Sequence, residues 1–175
     1  METPLPAENA PSPEAPAEAA SVPQPPPTVT RKFLVSELPK TLALGAAREI
    51  ETGYLCVEKD GPEMFIRRDG TSAALCYRTD SGLQHQELET PLSPEQLAVL
   101  WPLTEGRRAC KKSYQFLFGD VPMTLDMYQG RLNWLRIAEA EFKGRGAAES
   151  FSVPSWLYRE ITDIIAYRNS NLSRE

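Results

Sequence analysis

Three observations predict an α+β protein: an eight-stranded antiparallel β-barrel or tunnel with flanking helices and a disordered N-terminal tail. Eight short segments of alternating polarity follow one another. Turn residues separate them, with helical signals confined to the second half. Residues 1–27 lack any apolar periodicity.

That opening segment holds nine of the sixteen prolines, four glutamates and no lysine or arginine. Such a composition cannot bury enough apolar surface to offset its ordering entropy. The predicted organisation is therefore a Pro/Ala/Glu-rich tail over 1–27 and one domain over 28–175. The tail has no basic stretch leading into an apolar one, so it does not read as a secretory signal. No run of about 18 apolar residues exists, so no membrane span is expected. The tail supplies −4 of the formal charge of −5, leaving a nearly neutral domain. A neutral domain with mixed charges argues against bulk nucleic-acid or membrane-surface binding. Cys56, Cys76 and Cys110 form an odd set without metal-ligand spacing and fit free thiols in a reducing cytoplasm.

The first strand is read at Thr28–Val35, followed by a connector from Ser36 to Leu44 that could hold one helical turn. Strands are expected at Glu49–Glu58 and Glu63–Arg68, with Asp69-Gly70 as a hairpin turn into Ala73–Arg78. Gln84–Thr90 comes next, where Pro91 stops ladder pairing. Ser93 is an N-cap, Pro94 fits the first helical position and Gln96 completes a capping box, so a helix runs to Pro102. Ala109–Phe118, Pro122–Gln129 and Leu135–Phe142 supply the last three strands. An amphipathic helix is predicted over Pro154–Tyr167 from Trp156, Leu157, Ile161, Ile164 and Ile165.

Successive strand residues point to opposite faces. One parity collects Lys32, Arg67, Arg78, His85, Glu87, Glu89, Lys111, Asp126, Glu139 and Glu141. The other collects apolar residues such as Phe33, Met64, Ile66, Tyr77, Leu88, Phe116, Leu125 and Phe142. A sheet with one wet face explains this alternation. So does a closed sheet with its charges inward, which needs pairing, water, metal or a charged ligand to offset several kcal/mol per buried ion. Interleaved bases and acids suit a polyphosphate bound with metal.

The order of motifs resembles the CYTH superfamily, the triphosphate tunnel metalloenzymes, over nearly all of 28–172. The landmarks are Arg31-Lys32-Phe33-Leu34-Val35, Gly53-Tyr54-Leu55, Ile66-Arg67-Arg68, Gln86-Glu87-Leu88-Glu89, Lys111–Tyr114, Leu125-Asp126-Met127-Tyr128, Ala138-Glu139-Ala140-Glu141 and Pro154-Ser155-Trp156-Leu157. The resemblance implies an inward-facing charged tunnel that hydrolyses a triphosphate with Mg²⁺ or Mn²⁺. It implies Lys32, Arg67, Arg78 and Lys111 as triphosphate clamps. Glu87, Glu89, Asp126, Glu139 and Glu141 would be the acids from which metal ligands are drawn. Lys32 and Tyr54 match a pair that orients or activates the attacking water. The chain departs from the pattern at Thr28 and Thr30, where the opening signature has glutamates, and at Phe65 and Ser113, where it has arginines. His85 also stands in an arginine position. Glu49-Ile50-Glu51 imitates the lost signature one strand too late.

Two readings follow. One is a metal-dependent phosphohydrolase acting on inorganic triphosphate or a related triphosphate, with activity reduced by these losses. The other is a catalytically impaired relative that binds a phosphorylated ligand or a protein partner. Expected partners are a small phosphorylated substrate, no nucleic acid and no membrane, with homodimerisation left open.

Overall fold

The computed structural model describes residues 28–58, 61–81 and 84–174, so the predicted tail and the turn at Gly82 lie outside it. The side chains of Thr28 and His85 lie outside it as well. Among the described residues there are nine strands: β1 (Thr28–Val35), β2 (Arg48–Val57), β3 (Glu63–Asp69), β4 (Ser72–Ser81), β5 (Gln84–Pro91), β6 (Arg108–Phe118), β7 (Val121–Tyr128), β8 (Arg136–Phe142) and β9 (Leu157–Glu160). Three short helices join them: α1 (Pro94–Leu100), α2 (Arg145–Ser150) and α3 (Asn169–Leu172). No helix among the described residues is long and apolar enough to cross a membrane.

The strands form one antiparallel sheet in the order β5-β4-β3-β2-β6-β7-β8-β1-β9. It curls until β1 also meets β5, through Thr28↔His85 and Val29↔Gln84. The expected eight-stranded barrel is therefore a tunnel-like sheet of nine strands whose edges meet, among the described residues, over two residue pairs. Farther along, the same edge of β1 is taken by β9, through Phe33↔Glu160 and Leu34↔Arg159.

That pairing corrects the helix predicted over Pro154–Tyr167. Leu157–Glu160 is a strand, and Ile161 N–H donates to Lys32 C=O at 2.8 Å. The isoleucine spacing that imitates a helix instead serves a tight 3₁₀ turn at Ile165–Tyr167. An open strand edge has unpaired backbone groups to satisfy, and this outweighs local propensity. Helix α1 keeps its predicted capping box. Pro102 does not end the helical path, because Trp101–Thr104 continues it as a 3₁₀ turn. That turn presses on β2 at Gly53, where an added Cβ would lie 2.5 Å from Thr104 Oγ1. The connector over 36–44 holds a reverse turn, with Leu42 N–H donating to Pro39 C=O at 3.0 Å, and no helix.

The apolar parity lies outside the tunnel and is roofed by connecting segments. Val29, Phe33, Phe116, Met123, Leu125, Ala138, Ala140 and Phe142 pack under Leu38, Leu42, Leu44, Ala148, Phe151 and Trp156. On the outer face of β3–β5 the roof is thinner, and Met64, Tyr77 and Leu88 stay partly exposed. Trp156 is a packing residue, whereas Trp134 is 66% exposed. A second cluster of Leu34, Tyr128, Leu132, Leu135, Ile137, Ile161 and Leu172 occupies one end of the sheet. There Tyr128 OH donates to Asn169 Oδ1, and Arg131 donates to the carbonyls of Leu172 and Arg174.

Candidate active site

The polar parity points inward. A cavity of about 260 Å³ is lined by Tyr54, Phe65, Arg67, Arg78, Lys111, Ser113, Asp126 and Glu139 among others. Alternation dictates this set, since each strand contributes every second residue to the interior. From β1 come Thr30 and Lys32, register partners of Glu141 and Glu139 on β8. From β6 come Lys111 and Ser113, opposite Tyr128 and Asp126 on β7. From β4 and β5 come Arg78 and Glu87, also direct partners.

The interior charges pair with one another and form two sectors. On β1 and β6–β8, Lys32 Nζ lies 3.1 Å from Glu139 Oε1, and Lys111 bonds Asp126. On β3–β5, Arg67 and Arg78 grip the Glu87 carboxylate at 2.6 and 2.5 Å, and Arg67 also meets Glu89. Burial pushes Glu139 towards neutrality, but Lys32 and Lys111 more than reverse this and hold it down to about 2. Burial likewise opposes the charge on Lys111, and Asp126 and Glu139 lift it above its ordinary value. Glu141, exposed at the rim, is raised by partial burial and by repulsion from Glu139. Interior charges survive here because each has an opposite charge within contact, the condition for burying ions at tolerable cost.

Several polar atoms lack such a partner. Thr30 Oγ1, Tyr54 OH and Asp126 Oδ1 are buried without a hydrogen bond among the described residues. Burial drives the Tyr54 phenol well above its ordinary value, so it remains a hydroxyl. Its ring stacks against Phe65 at 5.4 Å between centroids. Phe65 in turn lies under Arg78, whose guanidinium carbon sits 5.1 Å above the ring centre. Phe65, which stands where the resemblance has an arginine, lines the tunnel and supports a cation.

Lys32, Tyr54, Arg67, Arg78, Lys111, Glu87, Asp126 and Glu139 are thus brought together, either as lining or through an ion-pair partner in the lining. Glu89 and Glu141 are more exposed, and Glu141 lines an adjoining hollow with Gln115 and Thr124. Glu49 and Glu51 face outward to Lys112 and Arg68, so the imitation signature is outside the tunnel. Sequence reasoning missed Arg48, Thr52, Gln115, Thr124 and Asn169 in the lining. The first four follow from strand parity once the register is known. Asn169 has no such signal, because tertiary folding alone brings α3 to the tunnel.

No family model matches the chain. It is 34% identical over 146 residues to an inorganic triphosphatase of Nitrosomonas europaea, covering 83% of this chain and 95% of that protein. An inorganic triphosphatase of Acetivibrio thermocellus is 31% identical over 147 residues, covering 82% and 91%. A crystal structure of an inorganic triphosphatase superposes with a TM-score of 0.66 at 33% identity, covering 85% of this chain and 95% of that one. At this identity and coverage, the chain belongs to the inorganic triphosphatase family and has its tunnel fold.

Proposed function

We propose that this protein is a tunnel-type phosphohydrolase that splits inorganic triphosphate into phosphate and diphosphate with the help of Mg²⁺ or Mn²⁺. The observation that carries the reading is the convergence of Lys32, Arg67, Arg78 and Lys111 around one cavity that also holds Asp126 and Glu139. A polyanion needs the four cations, and the carboxylates give a reason for a metal. The donor set fits a hard divalent cation, since Asp126 Oδ1 is buried without a partner among the described residues. Asp126, Glu139 and Glu141 would hold it. Bound there, the cation offsets repulsion between phosphate oxygens and these acids.

The chain's own residues account for the rest. Arg67, Arg78 and Lys111 counter charge on the phosphoryl oxygens as the bond to the diphosphate leaving group breaks. Tyr54, kept as a hydroxyl, and Lys32 orient the attacking water. The free state of Cys56, Cys76 and Cys110 supports a cytoplasmic setting. Thr30 supports the second reading, a binding protein with impaired turnover. It stands opposite Glu141 with an unpartnered hydroxyl and cannot supply a carboxylate's charge.

Phosphate release from triphosphate with Mg²⁺ or Mn²⁺ tests the proposal. Turnover should fall roughly 10²–10³-fold in Lys32→Ala and in Glu139→Ala, as for other lost electrostatic contacts. Turnover indifferent to both changes removes the assigned site. Triphosphate binding with no turnover selects the second reading.

A further inference from the structure

We infer that Glu87 is a positioning residue that aims two arginines into the tunnel, and that it is not a metal ligand. The inference rests on the phosphohydrolase reading and separates two roles among the tunnel's acids. Both Glu87 oxygens are already occupied. Arg78 donates to Oε2 from Nε at 2.7 Å and from Nη2 at 2.5 Å. Arg67 donates to Oε1 from Nη1 at 2.6 Å. One carboxylate therefore ties both guanidiniums in charge-assisted hydrogen bonds, with Glu89 also against Arg67.

The surrounding sequence makes this arrangement reachable. Arg78 and Glu87 are cross-strand partners on β4 and β5. Arg67 starts one strand farther away, on β3, opposite Ala74. Reaching β5 requires its arm to cross β4, whose inward residues there are the small Ala74 and Cys76. Arg78 is also supported from beneath by Phe65. The guanidinium planes are thus set before any ligand arrives, which lowers the ordering cost of gripping phosphate oxygens.

A competing role exists on the same strands. Cys76 Sγ and one oxygen each of Glu87 and Glu89 lie within 4.8 Å of one another, a spacing that could hold a metal. A cation there would have to displace guanidinium donors from Glu87 and sit among positive charges. The sector of Asp126 and Glu139 carries the ammonium groups of Lys32 and Lys111 in place of guanidinium pairs, and there Asp126 Oδ1 has no hydrogen-bond partner among the described residues. Metal and arginine grip therefore belong to different sectors of the tunnel.

The test compares Glu87→Gln and Glu139→Gln with the wild-type full chain. Mn²⁺ binding is measured by calorimetry without triphosphate, and KM and kcat are measured with triphosphate. The Arg78 Nε–H resonance is followed by nuclear magnetic resonance. Glu87→Gln should leave Mn²⁺ affinity within about twofold and raise KM roughly tenfold, with a smaller fall in kcat, as expected for one charged hydrogen-bond partner lost. It should also abolish the protected Arg78 signal, which Glu139→Gln keeps. Glu87→Asp carries the same measurements if the glutamine variant does not fold, and should keep Mn²⁺ affinity with an intermediate KM. A tenfold or greater loss of Mn²⁺ affinity in either Glu87 variant, with the Arg78 signal intact, overturns the inference in favour of the Cys76–Glu87–Glu89 site. If the wild type neither binds nor hydrolyses triphosphate, the functional reading fails, while Mn²⁺ affinity and the Arg78 signal still decide the role of Glu87.

Discussion

Glu139 shows how an interior carboxylate can hold its charge in this fold. Its partner Lys32 and the nearby Lys111 outweigh the cost of burial and set its ionisation near 2, below the ordinary 4.5. A depressed carboxylate stabilises the folded state above its ordinary value, and that stability is lost as pH falls through the folded value. Glu141 has the opposite sign, because its raised value makes the folded state take up a proton more readily. It therefore relieves a strain on acidification and cannot be the cause of acid unfolding. Urea midpoints measured from pH 5 to 2 should fall more steeply for wild type than for Glu139→Gln. Parallel curves would show that Lys32 and Lys111 do not hold this carboxylate in solution. Asp126 is more deeply placed, with a side chain 1% exposed and an ion pair to Lys111.

At the scale of the elements, the succession of strands and their parity were legible through β8, and the chain beyond it was not. Alternation in Ala138-Glu139-Ala140-Glu141 and in Lys111–Tyr114 decides which residues face inward, because a strand's period of two leaves no other choice. The resemblance, more than the alternation, indicated that the charged side is the inner one. The segment from Pro154 was misread because its apolar spacing fits a helix while its structure answers a need elsewhere, the open edge of β1. Asn169 was invisible for the same reason. Gly53 gave a quieter signal, as glycine within a strand often marks a close approach. The Trp101–Thr104 turn fills the space beside it, so Gly53→Ala would place a methyl 2.7 Å from Thr104 Cβ. Overpacking of this kind should cost about 1–3 kcal/mol, read as a lower urea midpoint at unchanged slope. A smaller cost of Gly53→Ala in a Thr104→Gly background, where all three crowding atoms are gone, would tie the loss to this contact. An unchanged midpoint in Gly53→Ala would mean the turn can shift away freely.

The whole molecule inverts the common arrangement, with ions inside the sheet and apolar side chains outside. That inversion makes it depend on two coverings. Connecting segments roof the outer apolar face of β6–β8 and β1. The C-terminal segment caps one end, where Leu172 joins Tyr128, Leu135 and Ile137, and Ser170 donates to the buried Glu63. Cutting the chain after Arg168 would remove Asn169, Ser170 and Leu172 together. Glu63 would lose its hydroxyl donor, and the Tyr128 and Leu135 contacts would open to water. Because β3–β5 are tied by their own ladders and by the Arg67–Glu87–Arg78 bonds, the damage should be local at first. Hydrogen exchange of the truncated protein should rise at the Tyr128–Leu135 end of β7 and β8 while the backbone amides of β4 hold their protection. Uniform loss of protection across all strands would show that the cap stabilises the whole sheet as one cooperative unit. The tunnel would then owe its integrity to the same segment whose structure its sequence concealed.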